Sequence, residues 1–317
     1  MSAQAPFRLG TRGSPLALAQ ARELRARLAA AHPTLSPEDA VEIVVIKTTG
    51  DQVQDRALAE IGGKGLFTKE IEEALLDKRI DAAVHSMKDV PTWLPDGLVI
   101  AAVLPREDPR DVLLAPGATS LAALPPGAVV GTGSLRRQAQ VLLMRPDLKV
   151  VPLRGNVGTR MRKLRAGEVD ATLLALAGLR RLDLAKDVAA DSAVLGAEEM
   201  LPAAAQGAIG IEIRASDAHT RDVIAALDDA PSAMCVEAER ACLEVLDGSC
   251  RTPIAALAEV DGDELRLRAL VAMPDGSRAH RAEQRGAATD AVALGRAVGA
   301  ELRAAAGAAF FAALADI

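Results

Sequence analysis

Gly131-Thr132-Gly133-Ser134-Leu135-Arg136-Arg137 and Leu153-Arg154-Gly155-Asn156-Val157-Gly158-Thr159-Arg160 set four arginines into glycine-containing turns. Each turn follows an apolar stretch and precedes a segment of helical pattern. Glycine permits a tight bend, and the first amides of a helix lack internal partners. The guanidinium group adds a rigid fork of donors that matches a carboxylate or a phosphate. Such a combination suits an anionic small molecule. A third turn of this kind lies near the start, where Ser14 reads as a helix cap, Pro15 takes the first helical position and Arg12 stands beside them.

The charge distribution agrees. Residues 131–181 hold nine Arg and two Lys against three acids, a local excess of +8, whereas the chain carries −6, leaving −14 for the remainder. Surface arginines usually pair with nearby acids, but this window has too few. A positive pocket in an acidic body draws a small anion. Duplex nucleic acid calls for a broad basic face. With aromatics at 2%, stacking platforms are scarce as well, so no nucleic-acid partner is expected.

Three further stretches could carry chemistry. His85-Ser86-Met87-Lys88-Asp89-Val90-Pro91 follows the apolar run 80–84, and Pro91 ends any continuation. A carboxylate there could pass a proton to a leaving amine or steady a developing cation; equally, Asp89 could cap a turn or pair with Lys88. His85 reads as a hydrogen-bonding residue near the core, since no matched Ser or Cys accompanies it. Gly62-Gly63-Lys64-Gly65-Leu66-Phe67-Thr68 is a lid, an anion clamp or a plain connector, and it lacks the ending of a phosphate loop. Cys235 and Cys242 stand seven apart on a helical pattern and read as core. Cys250, in Asp247-Gly248-Ser249-Cys250-Arg251-Thr252-Pro253, has a neighbouring cation that favours thiolate. It is either an attachment nucleophile or an idle loop cysteine. The three cysteines match no zinc spacing and make no disulfide framework, so no metal is expected.

The elements that must position these groups come from length and repetition. A chain of 317 residues, 50% hydrophobic and 25% charged, has room for two or three domains. Residues 1–6 lack the pattern of a secretory signal, and no apolar run reaches a membrane span. The expectation is a cytoplasmic enzyme or binding protein with no membrane partner. Three pairs of segments echo each other in the same order: 7–14 with 128–134, 44–51 with 149–156, and 80–84 with 169–173. That predicts two similar α/β lobes of strands alternating with helices. Helices are expected over 15–30, 135–144 and 159–164, the last capped by Thr159. Ligands of open α/β sheets bind at the carboxyl ends of strands, where these turns fall. The segment 206–213 reads as a strand returning to the first lobe. A third, α+β unit follows: a helix over 232–246, two strands over 254–260 and 264–273 joined by Asp261-Gly262-Asp263, and a closing Ala-rich helix from 289.

Taken together, the motifs resemble the hydroxymethylbilane synthase (porphobilinogen deaminase) family. The matching pieces are Thr11-Arg12-Gly13-Ser14-Pro15-Leu16-Ala17, Gly62-Gly63-Lys64-Gly65-Leu66-Phe67, His85-Ser86-Met87-Lys88-Asp89-Val90-Pro91, Arg106-Glu107-Asp108-Pro109-Arg110-Asp111, Gly133-Ser134-Leu135-Arg136-Arg137-Gln138, Leu153-Arg154-Gly155-Asn156-Val157-Gly158-Thr159-Arg160, Gln206-Gly207-Ala208 and Gly248-Ser249-Cys250. Each is modest alone; the ordered set, from the start of the chain to the third unit, is specific. Ser249 stands where the family has glycine, and Gly133 where serine is common.

The resemblance implies a transferase of tetrapyrrole (heme) biosynthesis that condenses four porphobilinogen molecules head to tail with release of ammonia. It implies a dipyrromethane cofactor attached covalently through Cys250. Asp89 and Lys88 fall at catalytic positions. Lys88, Asp89, Ser134, Arg136, Arg137, Arg154 and Arg160 fall at cofactor-binding positions. Arg12, Ser14, Lys64, Phe67, Arg154, Arg160, Arg181 and Gln206 fall at substrate-binding positions. The implied fold is two periplasmic-binding-protein-like (type II) α/β lobes around a cleft, plus a small α+β C-terminal domain. Its expected boundaries are 1–105 with 203–226 for the first lobe, 106–202 for the second, and 227–317 for the cofactor-attachment domain. A monomer is expected. The rival reading is a non-catalytic two-lobed anion-binding protein, which explains the arginines but not the placement of Asp89 and Cys250.

Overall fold

The computed structural model describes residues 6–37, 39–52, 65–248 and 252–315. Thirteen strands run through them: β1 (Phe7–Arg12), β2 (Val41–Ile46), β3 (Ala82–Ser86), β4 (Leu98–Val103), β5 (Asp111–Leu114), β6 (Val129–Gly131), β7 (Lys149–Val151), β8 (Ala171–Ala175), β9 (Ser192–Val194), β10 (Ile209–Arg214), β11 (Ile254–Asp261), β12 (Glu264–Ala272) and β13 (Ala279–Ala287). The chain divides into two compact units, one of residues 1–107 and 208–233, the other of 108–207 and 234–317.

The first unit holds a five-stranded sheet in the order β2-β1-β3-β10-β4. β1, β2 and β3 pair in parallel, whereas β10 runs antiparallel to both its neighbours. The second unit repeats this plan in the order β7-β6-β8-β5-β9, with β5 as the antiparallel strand. The three sequence echoes thus pair β1 with β6, β2 with β7 and β3 with β8, each at the same sheet position. In both sheets the fourth place is filled by a strand from across a chain crossing, β10 after residue 207 and β5 after residue 107.

The local reasons are the same in both. Ser14 caps the helix Pro15–Ala31, its Oγ accepting from the Ala17 amide at 3.2 Å, and Ala17, Ala21, Leu24 and Leu28 turn one stripe to the core. Ser134 caps the helix Leu135–Met144 by accepting from the Arg137 amide at 3.4 Å. The next helix departs from expectation. It spans Val157–Arg165 and is capped by Asn156, whose Oδ1 accepts from the Thr159 amide at 2.9 Å. Asparagine rivals threonine or better at this position, and the cap lies three residues before the amide it satisfies.

The C-terminal sheet has three antiparallel strands, β11-β12-β13, not the two expected. β13 was hidden because it is an edge strand of mostly half-exposed polar residues. Alternation sorts the other two strands onto two faces. Ala256, Ala258, Leu265, Leu267, Ala269 and Val271 pack with Cys235, Cys242 and Val298 from the covering helices Ala230–Val245 and Ala291–Ala306. Ala255, Leu257, Leu270 and Ala272 pack with Ala139 and Leu201. The expected closing helix is broken at Gly307 and resumes over Ala308–Ala315. The turn at Gly276 presses on the Leu135–Met144 helix: a Cβ there would lie 2.5 Å from the Leu142 carbonyl carbon, and φ is +73°. Beside it Gln138 Nε2 donates to the Pro274 carbonyl at 3.1 Å. No single helix among the described residues is long and apolar enough to cross a membrane.

Candidate functional site

In the first unit, a pocket forms where β1 and β3 end. Arg12, Ser14, Gln20, Phe67, Thr68, His85, Ser86 and Asp89 line it, with Leu16, Ala17 and Val84. Arg12 comes from the last residue of β1, and its guanidinium carbon sits 4.1 Å from the centre of the Phe67 ring. That stacking holds a cation at the pocket wall. Gln20 and Ser86 exchange hydrogen bonds at 2.8 and 3.1 Å, fixing the start of the helix to the end of β3.

Asp89 closes a single 3-10 turn, Met87–Asp89, directly after β3. The turn is anchored from below. The Met87 amide donates to the Ala208 carbonyl at 3.0 Å, and the Met87 side chain lies 1% exposed against Gly210 of β10. A Cβ on Gly210 would fall 2.0 Å from the Met87 sulfur. Glycine at this point is what lets the turn sink onto the sheet and fixes where Asp89 and the half-buried Lys88 emerge.

Behind the pocket, His85 Nε2 lies 2.8 Å from Glu212 Oε2, both side chains buried. Glu72, from the helix Lys69–Leu76, is buried near them; burial, with the Glu212 charge adding to it, raises its carboxyl above the ordinary glutamate value.

The second unit carries the arginines. Arg136 and Arg137, at the start of the Leu135–Met144 helix, are each 5% exposed. Asp111, the first residue of β5, takes both: Arg136 Nη2 lies 2.8 Å from Oδ2, and Arg137 Nη2 donates to Oδ1 at 2.8 Å. Their Nη1 atoms donate to the carbonyls of Leu201 and Leu173 at 2.8 and 2.9 Å. Gln206 is 1% exposed, and its Nε2 donates to the Pro109 carbonyl at 2.7 Å and to Asp111 Oδ1 at 2.8 Å. Burial alone would raise the Asp111 carboxyl; the two guanidinium groups and these hydrogen bonds reverse it and hold it far below the usual carboxylate range. The acids inside residues 131–181 are indeed few, and the acid that serves Arg136 and Arg137 comes from outside that window.

Arg154 and Arg160 are half-buried beside this network. Burial, then the positive charges of Arg137 and Arg154, bring the Arg160 guanidinium down to about 10. Arg160 Nε donates to the Gly155 carbonyl at 2.9 Å. Among the described residues of this cluster, three buried donors stand without an acceptor: Nε of Arg136, Nε of Arg137 and Nη1 of Arg154. Mutually repelling cations with orphaned N–H groups lack an anion. A cofactor bearing several carboxylates fits that donor set. Ser134 serves as the helix cap, and Arg181 ends the short helix Leu176–Arg181, half-buried.

The structure therefore gathers Arg12, Ser14, Phe67 and Asp89 in one unit, and Arg136, Arg137, Arg154, Arg160 and Gln206 in the other. Lys64 and Cys250 lie outside the described residues. Among those described, no group of His, Cys, Asp and Glu is arranged to hold a metal. Sequence reasoning missed Asp111 and Glu212 as site residues. A signal was there: each is a lone acid in an otherwise apolar strand, Asp111-Val112-Leu113-Leu114 and Ile209-Gly210-Ile211-Glu212-Ile213, and an acid buried in a strand demands a partner.

Comparisons with known proteins identify the family. A family model described as porphobilinogen deaminase, dipyromethane cofactor binding domain, matches residues 7–222, and a second, described as the C-terminal domain of porphobilinogen deaminase, matches 233–304. The porphobilinogen deaminase of Paracoccus denitrificans is 58% identical over 308 residues, covering 97% of each chain. The chloroplastic porphobilinogen deaminase of Oryza sativa subsp. japonica is 56% identical over 308 residues, 96% of this chain and 85% of that one. Among solved structures, an ancestral arginine-binding protein aligns at 16% identity over 71% of this chain and 91% of that one, with a TM-score of 0.40. At that level the fold class stands on the strand order alone. The chain belongs to the porphobilinogen deaminase family.

Proposed function

We propose that the chain is a hydroxymethylbilane synthase, a transferase that joins four porphobilinogen molecules head to tail with loss of ammonia, on a dipyrromethane cofactor. The observation that carries this is the cluster of Arg136, Arg137, Arg154 and Arg160, with its three buried donors lacking acceptors, in a chain of this family. Each pyrrole of the substrate carries two carboxylates, and guanidinium forks are the natural partners of such groups.

Ser134, Arg136, Arg137, Arg154 and Arg160 would hold the cofactor's carboxylates, with Lys88 and Asp89 also contacting it and Cys250 bonded to it. When bound, the cofactor supplies an electron-rich pyrrole carbon as the point of chain growth. Arg12, Ser14, Lys64, Phe67, Arg154, Arg160 and Arg181 would serve the incoming substrate directly, and Gln206, 1% exposed, would serve it from behind through Asp111.

In this reading Asp89 handles the proton. Ammonia is a poor leaving group unless the amine is protonated, and a carboxyl at the pocket wall can keep it so, helped by Lys88. Once ammonia departs, the substrate's methylene carbon is electron-poor, and the ionised Asp89 stabilises that charge at short range. The same carboxylate then accepts the proton displaced when the new carbon–carbon bond forms. The stacked Arg12–Phe67 pair gives the substrate's acidic arms a fixed cation. Repeated at one acid, these steps need the chain to advance between additions.

Intact mass tests the proposal. Protein made in cells that supply porphobilinogen should be heavier than its sequence by two linked pyrroles, and Cys250→Ser should remove that excess. A chain of unaltered mass that consumes no porphobilinogen would leave only the non-catalytic anion-binding reading, which does not explain Asp89. A cytoplasmic monomer belongs to the same proposal, and size-exclusion chromatography with light scattering checks its oligomeric part.

A further inference from the structure

We propose that Asp111 is a positioning residue for the arginines that hold the cofactor: it fixes the direction of the Arg136 and Arg137 guanidinium groups and so sets how tightly the chain takes up its carboxylated primer. The proposal rests on the reading of function given above.

Asp111 is 0% exposed, so it touches no ligand. It gathers three side chains from two elements, Arg136 and Arg137 from one helix and Gln206 from the segment before β10. A guanidinium group is planar. Nη2 meets Asp111, in an ion pair for Arg136 and a hydrogen bond for Arg137, and Nη1 donates to a backbone carbonyl, so each plane is restrained at two corners. Of the three nitrogens in each group, Nε alone is buried with no acceptor. Two arginines frozen in advance give up little freedom when an anion arrives, whereas unconstrained ones lose several rotamers each. Gln206 is sealed in the same network. Its amide acts on the ligand through Asp111, and it is a second positioning residue.

Charge and orientation make opposite predictions. Asp111 adds one negative charge to an otherwise cationic cluster. If neutralisation were its only effect, Asp111→Asn would leave the cluster more positive and draw a carboxylated ligand more strongly. If it positions, Asp111→Asn loosens both guanidinium groups and weakens loading although the cluster has gained positive charge.

Asp111→Asn, Asp111→Glu and Gln206→Met are prepared beside the unaltered chain in cells with and without a porphobilinogen supply. Intact mass reports the fraction carrying two pyrroles. The primer-free proteins are then titrated with porphobilinogen while mass gain and thermal unfolding are followed. Asp111→Asn is expected to raise the half-loading concentration about tenfold or more and to shrink the rise in unfolding temperature on loading. Gln206→Met should move both in the same direction by less, and Asp111→Glu should recover part of the loss. Loading of Asp111→Asn at or above the unaltered level overturns the proposal. Should Asp111→Asn fail to fold, Gln206→Met decides: an unchanged half-loading concentration overturns it. An unaltered chain with no mass excess instead sinks the reading of function, before any variant is compared.

Discussion

The two five-stranded units share one plan and use it for different chemistry. Both place an antiparallel strand beside the third parallel strand, and both put a single buried acid on it: Glu212 on β10, Asp111 on β5. In the first unit the acid meets one imidazole, His85, with Glu72 buried close by. In the second it meets two guanidinium groups and an amide. One buried pocket therefore holds more acid than base and the other more base than acid. The fold supplies the position, and the chemistry follows from which partner reaches it. The excess of acid stands behind the pocket that Asp89 lines, and the excess of basic side chains stands around Arg136, Arg137, Arg154 and Arg160.

Asp89→Ala removes the proton-handling group and should lower turnover about 10²- to 10⁴-fold, with the primer mass and the unfolding midpoint unchanged. Normal turnover would take Asp89 out of the mechanism and the first unit out of the comparison. Arg137→Leu leaves Asp111 with part of its compensation gone in a dry site and should destabilise the protein by about 3–5 kcal/mol. Urea titration reads this, and a loss under about 1 kcal/mol would class the pair with exposed ones. Gly210→Ala forces Met87 off the sheet; the overpacking should cost about 1–3 kcal/mol and lower kcat as the Asp89 turn moves. Unaltered kcat in a destabilised variant would separate the anchor from the catalyst.

The smallest effect is in pH. The Asp111 carboxyl is depressed in the fold, so its stabilisation is present above about pH 4, the unfolded value, and is lost as pH falls toward the folded one. The Glu72 carboxyl is raised, so its contribution is present below about pH 4.3 and is lost as pH rises through its folded value. Mild acidification from neutral thus relieves the first unit without touching the second. Glu72→Gln should flatten that part of the profile and raise the unfolding temperature slightly at pH 8. An identical profile for the variant would remove Glu72 from the acid excess.

Much of the frame was legible because it is written locally or repeated. The caps Ser14 and Ser134 stand beside the helices they start, and the β1–β6, β2–β7 and β3–β8 echoes matched in sheet position because both units need the same short apolar strands and turns. What escaped was pairing over long separations. Asp111 meets Arg136 and Arg137 some 25 residues on and Gln206 at 95, and nothing near any of the four records the partner. A charge count over a window cannot see an acid that enters from outside it. Arg136 and Arg137 read as open grips for a ligand, whereas two of the three nitrogens of each guanidinium group are committed inside the protein. β13 escaped for the opposite reason: Arg281, Glu283 and Arg285 give it a solvent-facing edge that reads as loop.

The press of the Met273–Gly276 turn on the Leu142–Leu143 backbone has a practical side. A surface hairpin tip is where an engineer would graft an affinity tag or a fluorophore, and the Asp261–Glu264 tip of the same sheet offers room for one. The 274–278 tip does not. Any side chain added at residue 276 must push the arginine-bearing helix, so a label there would report as a binding defect although it lies far along the chain from every group that touches the ligand.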